Sequence, residues 1–375
     1  MNILRTEREA LERYLPGLEG QLRAIGFEEL ESASAPAIAP FRNAGGAGLL
    51  IPKRFHGLEA SPLAALRIHR ALGSCAPSLA VATTMHQFSV AMLLPICTKA
   101  EGMEWVLLQA IAQQRLLLAS GFAEGDTGRS ALKPAMRGSK VPGGILVSGS
   151  KKPCSLSRSM NLLTASVSVV DAHAGSERFA VTLIAAESKG IERRPFWNNI
   201  VLNGAESDEL LLDNVFVPER LVFYPDPTVQ EDSTEGSGFL WFELLISASY
   251  LGIASGLAER AIAAKRGEAS DRVAVVGELE SAMAGLESVA ASLEDKEPGN
   301  GKLARALFVR YSVQHAIERA TACAFELLGG TAFIRSPEAS YLYAAARGLA
   351  FHPPSRLAAT AALDRFIGGE DLNFE

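Results

Sequence analysis

The sequence predicts an α+β protein in three consecutive parts: an N-terminal helical domain over residues 1–114, a middle antiparallel β domain over 115–230, and a C-terminal four-helix bundle over 231–375. Three changes of texture predict it. Leu11, Leu15, Leu18, Leu22 and Ile25 recur at three- and four-residue spacing, which places them on one helical face. From about Gln114 the chain becomes short and β-branched, as ILVSGSKK, NLLTASVSVV, RFAVTLIAA and DELLLDNVFVP, punctuated by Gly, Asp, Asn or Pro. From about Gly238 long Ala- and Leu-rich segments return. Strands and helices are segregated along the chain rather than alternating, and that segregation is what makes the class α+β.

Taken in order, the apolar stripe from Thr6 to Ile25 opens the chain with an amphipathic helix. The segment from Leu63 to Leu94 is rich in Ala, Leu and Met and is broken only by Gly73 and Pro77, so two helices are expected there. Beyond the strands, helices are expected at 239–266, 273–293, 301–328 and 355–367. Glu294 to Lys302, EDKEPGNGK, reads as a turn between two of them. Such helices need partners, and a bundle of four satisfies them.

Composition narrows the function. With 48% hydrophobic and 21% charged residues, the 375-residue chain can fill a large core. A net charge of −6 and a pI near 5.7, with no basic run, exclude nucleic acid as a main partner and give no attraction to anionic membranes. Cys75, Cys97, Cys154 and Cys323 are widely spaced, as expected of reduced thiols in a cytosolic protein, and no metal-like spacing of His or Cys occurs. The charged N-terminus and the lack of a continuous stretch of about 18 apolar residues predict a soluble, cytoplasmic protein.

Several strings carry a resemblance. GLLIPKRFHGLEAS at 48–61, SGFAEGDTGRS at 120–130 and VSGSKKPCS at 147–155 occur in that order. DELLLDNVFVPERLV at 208–222 precedes the bundle, and ELLGGTAFIRSPEASYLYAAARGLAFHPPSR at 326–356 lies within it. Over essentially the whole chain this resembles the acyl-CoA dehydrogenase superfamily. The second and third strings stand where the family has T-E-P-x-A-G-S-D and N-G-x-K-x-W-I-T.

The resemblance implies a flavoprotein oxidoreductase that holds FAD, or FMN in a monooxygenase, and assembles as a homodimer or homotetramer. Hydride arrival puts negative charge on the flavin's N1–O2 and N5 edges, so donors are needed there. By resemblance they come from Phe122, Ala123 and Gly128 of the loop and from Cys154 and Ser155 at the strand end. Ser155 keeps the hydroxyl of the family threonine, Ala123 offers only its N–H, and Pro153 stands where an aromatic residue often covers the ring. Gly329 and Gly330 match an element that touches the cofactor of a neighbouring subunit, and also suit a helix stop. The Arg-x-x-Phe-Gly string for the pyrophosphate is reduced to Arg266 and Arg272, and the family's Arg-Asp pair falls on Tyr343-Ala344.

Counting without gaps from Pro337 puts His352 where many members carry the glutamate base. A histidine near its ordinary pKa can act as base or acid. A second base position of the family falls on Phe242, one residue before Glu243, so Glu243 is a second candidate. FHPPSR also resembles the His-containing turn of flavin monooxygenases that share the fold. His352 as a plain helix cap is the structural alternative.

Three functions therefore stand open. One is α,β-desaturation of an acyl thioester on coenzyme A or an acyl carrier protein, with electron-transfer flavoprotein as acceptor. Another is a two-component monooxygenase acting on a small molecule and fed by a flavin reductase. The third is a member without redox chemistry.

Overall fold

The structure, a computed structural model, describes residues 3–99, 103–125, 134–171, 176–224, 234–294 and 299–374. The first part runs α1 (Arg5–Tyr14), α2 (Leu18–Ile25), α3 (Phe27–Leu30), α4 (Ile38–Asn43), α5 (Pro62–Cys75), α6 (Pro77–Lys99) and α7 (Trp105–Gln114). Ser61 starts α5 because its side chain accepts from the Ala64 N–H, while Pro62 occupies the first turn, where no donor is needed.

The strands are β1 (Leu118–Gly121), β2 (Arg137–Val141), β3 (Gly144–Cys154), β4 (Leu162–Asp171), β5 (Ser176–Ala185), β6 (Ile191–Arg194), β7 (Asp208–Pro218) and β8 (Val222–Phe223). They form one sheet in the order β6-β7-β3-β2-β4-β5-β8, with β1 also on β4. Most neighbours are antiparallel, but β1 and β2 both run parallel to β4, so the sheet is mixed where a purely antiparallel one was expected. The reason lies in the crossover. β1 pairs with residues 162–165 of β4 and β2 with residues 168–170, so the two occupy one strand position that is interrupted by residues 122–136. Strand texture in a sequence gives no direction of pairing.

After the sheet come α8 (Thr234–Ala263), α9 (Ala269–Ser292), α10 (Gly299–Arg335), α11 (Pro337–Ala346) and α12 (Arg356–Ile367). α8 is the axis of this part, with Leu244, Leu245, Ile246, Leu251, Ile253 and Leu257 fully buried. It packs against α9, α10 and α11, and on its other side against α5 and α6. The break between α5 and α6 falls at Ala76-Pro77, whereas Gly73 is inside α5. A Cβ on Gly73 would stand 2.1 Å from the Ser249 carbonyl oxygen, so its absence lets α5 and α8 touch backbone to backbone. α12 sits apart, its Ala359 and Leu363 packed on Ala304, Leu307 and Tyr311 of α10.

Two stretches, Pro77–Thr98 and Gly238–Ala263, are long and apolar enough to cross a membrane, where none was expected. Interspersed Ser, Thr and Gly hide them from a count of consecutive apolar residues. Their windows are 78% and 94% buried inside the protein, so here they are core helices.

Candidate active site

His352 follows the short turn Arg347–Phe351 after α11 and precedes Pro353-Pro354, which cannot extend a helix; Ser355 then caps α12. The His352 Nε2 lies 2.9 Å from the Tyr250 hydroxyl of α8, and the two ring centres are 5.3 Å apart. Tyr250 reaches it past Gly348, where a Cβ would stand 2.5 Å from the hydroxyl oxygen.

Beneath the turn lies Arg310 of α10, itself 1% exposed. It donates to the carbonyl oxygens of His352 (2.5 Å), Leu349 (3.2 Å) and Pro353 (3.3 Å), and to the Glu243 carboxylate at 2.6 Å. Glu243, 2% exposed, is thereby spent on an ion pair. Desolvation of the half-buried ring, with the Arg310 guanidinium adding to it, lowers the His352 pKa from its ordinary value, so the ring is neutral near pH 7. Burial raises the Tyr250 phenol, although Arg310 opposes this, so it too is neutral. The pair can accept a proton on nitrogen and pass it through a hydroxyl.

A line of aromatic rings runs from His352 to the sheet. The Phe242 ring is 6.1 Å from His352, and Phe88 of α6 is 5.6 Å from Phe242, 5.7 Å from Phe239 and 5.0 Å from Phe122. Phe122 begins the excursion between β1 and β2. Glu124 accepts from the Ala135 N–H (2.7 Å), the Met136 N–H (3.1 Å) and the buried Lys151 Nζ (2.6 Å). Lys151 also donates to Ser166 Oγ of β4 at 3.0 Å. Desolvation pushes the Glu124 carboxyl up, but Lys151 and the two backbone donors outweigh it and hold the pKa below the usual carboxylate range.

The expected flavin residues fall into two groups. Phe122, Ala123, Cys154 and Ser155 come together: the Ala123 carbonyl accepts from the Lys152 N–H at 2.9 Å, next to the end of β3. The Cys154 thiol is fully buried and turned towards the Ser120 carbonyl (3.5 Å), and burial raises its pKa to about 12, so the side chain stays an inert thiol. Ser155 Oγ and Ser207 Oγ are 3.0 Å apart. Two hydroxyls that share one hydrogen bond keep a second O–H to give, which suits the electron-rich edge of a flavin ring. Gly128 lies outside the described residues.

The second group is elsewhere. Arg266 donates to the Leu328 carbonyl (2.9 Å) beside Gly329, whose positive φ of 77° interrupts α10, and Gly330 follows it at the surface. Arg272 donates to the Arg266 and Gly267 carbonyls. At about 1.5 Å per residue, about 30 Å of helix axis separates Phe242 from the end of α8, just before Arg266. Within one chain the two groups are distinct places.

His86 and His69 make structural contacts. His86 joins three elements, with Nδ1 accepting from the Leu118 N–H and Nε2 donating to the Ala47 carbonyl, both at 3.0 Å. His69 Nδ1 lies 3.2 Å from both Ser249 and Thr84.

Sequence reasoning missed Tyr250 and Arg310. Phe239, Glu243, Ile246 and Tyr250 recur at four, three and four residues, so Glu243 and Tyr250 are polar groups on one face of an otherwise apolar helix, and that spacing was a usable signal. Arg310 sits alone in LFVRYSV, a charge in an apolar run that calls for a buried partner.

The isobutylamine N-hydroxylase of Streptomyces viridifaciens is 43% identical over 377 residues, covering 99% of this chain and 100% of that protein. KijD3 bound to FMN and dTDP-3-amino-2,3,6-trideoxy-4-keto-3-methyl-D-glucose shares the fold with a TM-score of 0.84 at 18% identity, over 98% of this chain and 95% of KijD3. XiaF from Streptomyces sp., in complex with FADH2 and glycerol, gives 0.79 at 16% identity, over 98% and 96%. The chain belongs to the acyl-CoA dehydrogenase superfamily. No family model matches the sequence.

Within this superfamily of flavin-dependent oxidoreductases the chain is a divergent member, and its departures are physical. In place of the superfamily's Arg-Asp pair, Tyr343 stacks on Phe325 with centroids 5.1 Å apart. Phe242 takes a site-facing place beside His352, while Glu243 turns to Arg310.

Proposed function

We propose that the protein is a two-component flavin monooxygenase that N-hydroxylates a small primary aliphatic amine, using reduced flavin delivered by a separate reductase. One observation carries this reading: the reactive group at the turn is the neutral His352–Tyr250 pair, faced by Phe242 and Phe88, while the nearby carboxylate is neutralised by Arg310. The 43% identical amine hydroxylase supports it independently.

Amine, O2 and reduced flavin give hydroxylamine, water and oxidised flavin: one oxygen atom enters the N–O bond, the other leaves as water, and the flavin supplies two electrons. When bound, the reduced flavin furnishes those electrons to oxygen; Ser155, Ser207 and the Phe122–Glu124 backbone are the residues that would hold it. An amine reacts through its lone pair, so it must enter unprotonated. The Glu243 carboxylate is already paired with Arg310 and offers no free counter-charge to an ammonium. Nitrogen sheds a proton as the N–O bond forms, and the hydrogen-bonded His352–Tyr250 pair offers a route by which it leaves. Desaturation with Glu243 as the base is disfavoured, because that carboxylate is committed to Arg310.

The test is turnover under air with chemically reduced flavin and isobutylamine, with the hydroxylamine detected by mass. Formation of that product supports the reading. No hydroxylamine from any short amine, together with anaerobic bleaching of bound oxidised flavin by an acyl thioester, would restore desaturation.

A further inference from the structure

We infer that Arg310, with Glu243 as its counter-ion, is a positioning residue that holds the turn carrying His352, and with it the imidazole, in its working geometry. This rests on His352 being the acid–base group of the proposed reaction. Arg310 is the one described side chain that joins α8, α10 and the 349–353 turn through a single guanidinium: it donates to the Leu349, His352 and Pro353 carbonyls of the turn and to Glu243 of α8. Tyr311, its neighbour, donates to the Pro354 carbonyl at 3.0 Å, so the two side chains grip the turn on both sides of His352. The segment has one short 3₁₀ turn, closed by the His352 N–H on the Leu349 carbonyl at 3.3 Å, and beyond it the Arg310 and Tyr311 side chains tie the His352, Pro353 and Pro354 carbonyls.

The planar fork matters as well as the charge. Lysine offers a point charge and three donors on a flexible stem, and cannot reproduce a fixed fork that spans a carboxylate and a row of carbonyls. Glu243 in turn keeps the buried guanidinium neutralised, because an isolated charge at that depth is costly. A carboxylate at this point of the chain thus serves as a counter-ion and not as a base.

The charged and titratable groups facing His352 are Tyr250 and Glu243 from α8, Arg310 and Tyr311 from α10, and Arg356 at the start of α12, which acts on Tyr311. Arg310 is the cation that opposes protonation of the ring. Removing it, and loosening the turn so that water reaches the imidazole, both raise the His352 pKa.

The test reads the imidazole directly, so it does not depend on the amine reaction. Protein carrying 15N-histidine contains six histidines, and the His352→Gln variant identifies the His352 signal. In the wild type that signal should stay in its neutral form from pH 8 to pH 5. In the paired variant Glu243→Gln/Arg310→Met, which leaves no buried charge unpaired, it should titrate at least about one pH unit higher than in the wild type. In Arg310→Lys the charge remains, so the titration should shift less while kcat still falls about tenfold or more and KM changes little. Identical titration curves in all three proteins overturn the inference. If the paired variant fails to fold, Arg310→Lys decides alone: unchanged kcat with an unchanged His352 signal overturns the proposal. Absence of amine turnover in the wild type, with the titration shift present, would fault the proposed reaction and leave the clamp standing.

Discussion

Tyr250 and His352, 102 positions apart in the chain, meet through a 2.9 Å hydrogen bond between two neutral groups. The bond fixes the imidazole plane against α8 and gives any proton taken by the ring a hydroxyl to move through. Replacing His352 by Gln keeps polarity and approximate size but removes the titrating group. Product formation should fall by about 10²–10⁴-fold with folding and flavin binding retained. Steady-state kinetics beside circular dichroism and flavin titration checks this; full activity in His352→Gln returns the residue to a plain helix cap.

A depressed histidine pKa has a definite sign in pH dependence. The folded protein holds His352 neutral, while in the unfolded chain the ring takes up a proton below about pH 6.5. The unfolded state therefore binds more protons on the acid side, and stability should fall as pH drops below that value. His352→Gln should lose this part of the acid destabilisation, measured by urea titrations at pH 7 and pH 5. In the same range kcat/KM of the wild type should show no break near 6.5 from His352.

Ser155 and Ser207 form a pair with one donor to spare. Ser155→Ala should weaken flavin binding by about 0.5–1.5 kcal/mol, or about 2- to 13-fold in Kd. Fluorescence titration with reduced and oxidised flavin reads this. Equal affinities in wild type and variant for both redox states would make the pair a strand terminus and nothing more.

Phe242 stands between Phe88 and His352, and in the proposed reaction it would limit how much apolar substrate fits. Phe242→Ala removes a buried ring whose contacts contribute about 1.5–3 kcal/mol, so kcat/KM for a four-carbon amine should drop about 10- to 100-fold. Longer or aromatic amines should lose less or gain. An unchanged preference across a series of amines would place the substrate elsewhere.

Much of the fold was readable because its signals are local. The leucine stripe from Leu11 to Leu22 is a periodicity, although the single helix expected from Thr6 to Ile25 is broken at Pro16-Gly17 into α1 and α2, where Pro16 cannot continue a helix and Gly17 takes a positive φ of 74°. The Ala76-Pro77 break is backbone chemistry, and Asp208–Pro218 is an aliphatic run with a terminal proline. The parallel pairing of β2 with β4 was not readable, because it depends on where a crossover places a strand and not on the strand itself. The same division holds at the site. The place of His352 after α11 could be reached by counting from Pro337, since the spacing lies within one helix and one turn, while its role rests on the His352→Gln test. Glu243 was taken for a base candidate because its partner Arg310 lies 67 residues away on another helix. A sequence shows that a carboxylate is present, but not that a guanidinium has already claimed it.

The central claim is that this chain adds an oxygen atom from O2 to the nitrogen of a small amine. The most direct measurement is turnover under 18O2 with reduced flavin and isobutylamine, followed by mass spectrometry of the product. The account predicts a hydroxylamine two mass units heavier than that formed under ordinary oxygen, with one labelled oxygen per molecule. A product that carries no label, or an oxidation that proceeds anaerobically with oxidised flavin as the electron acceptor, would contradict it.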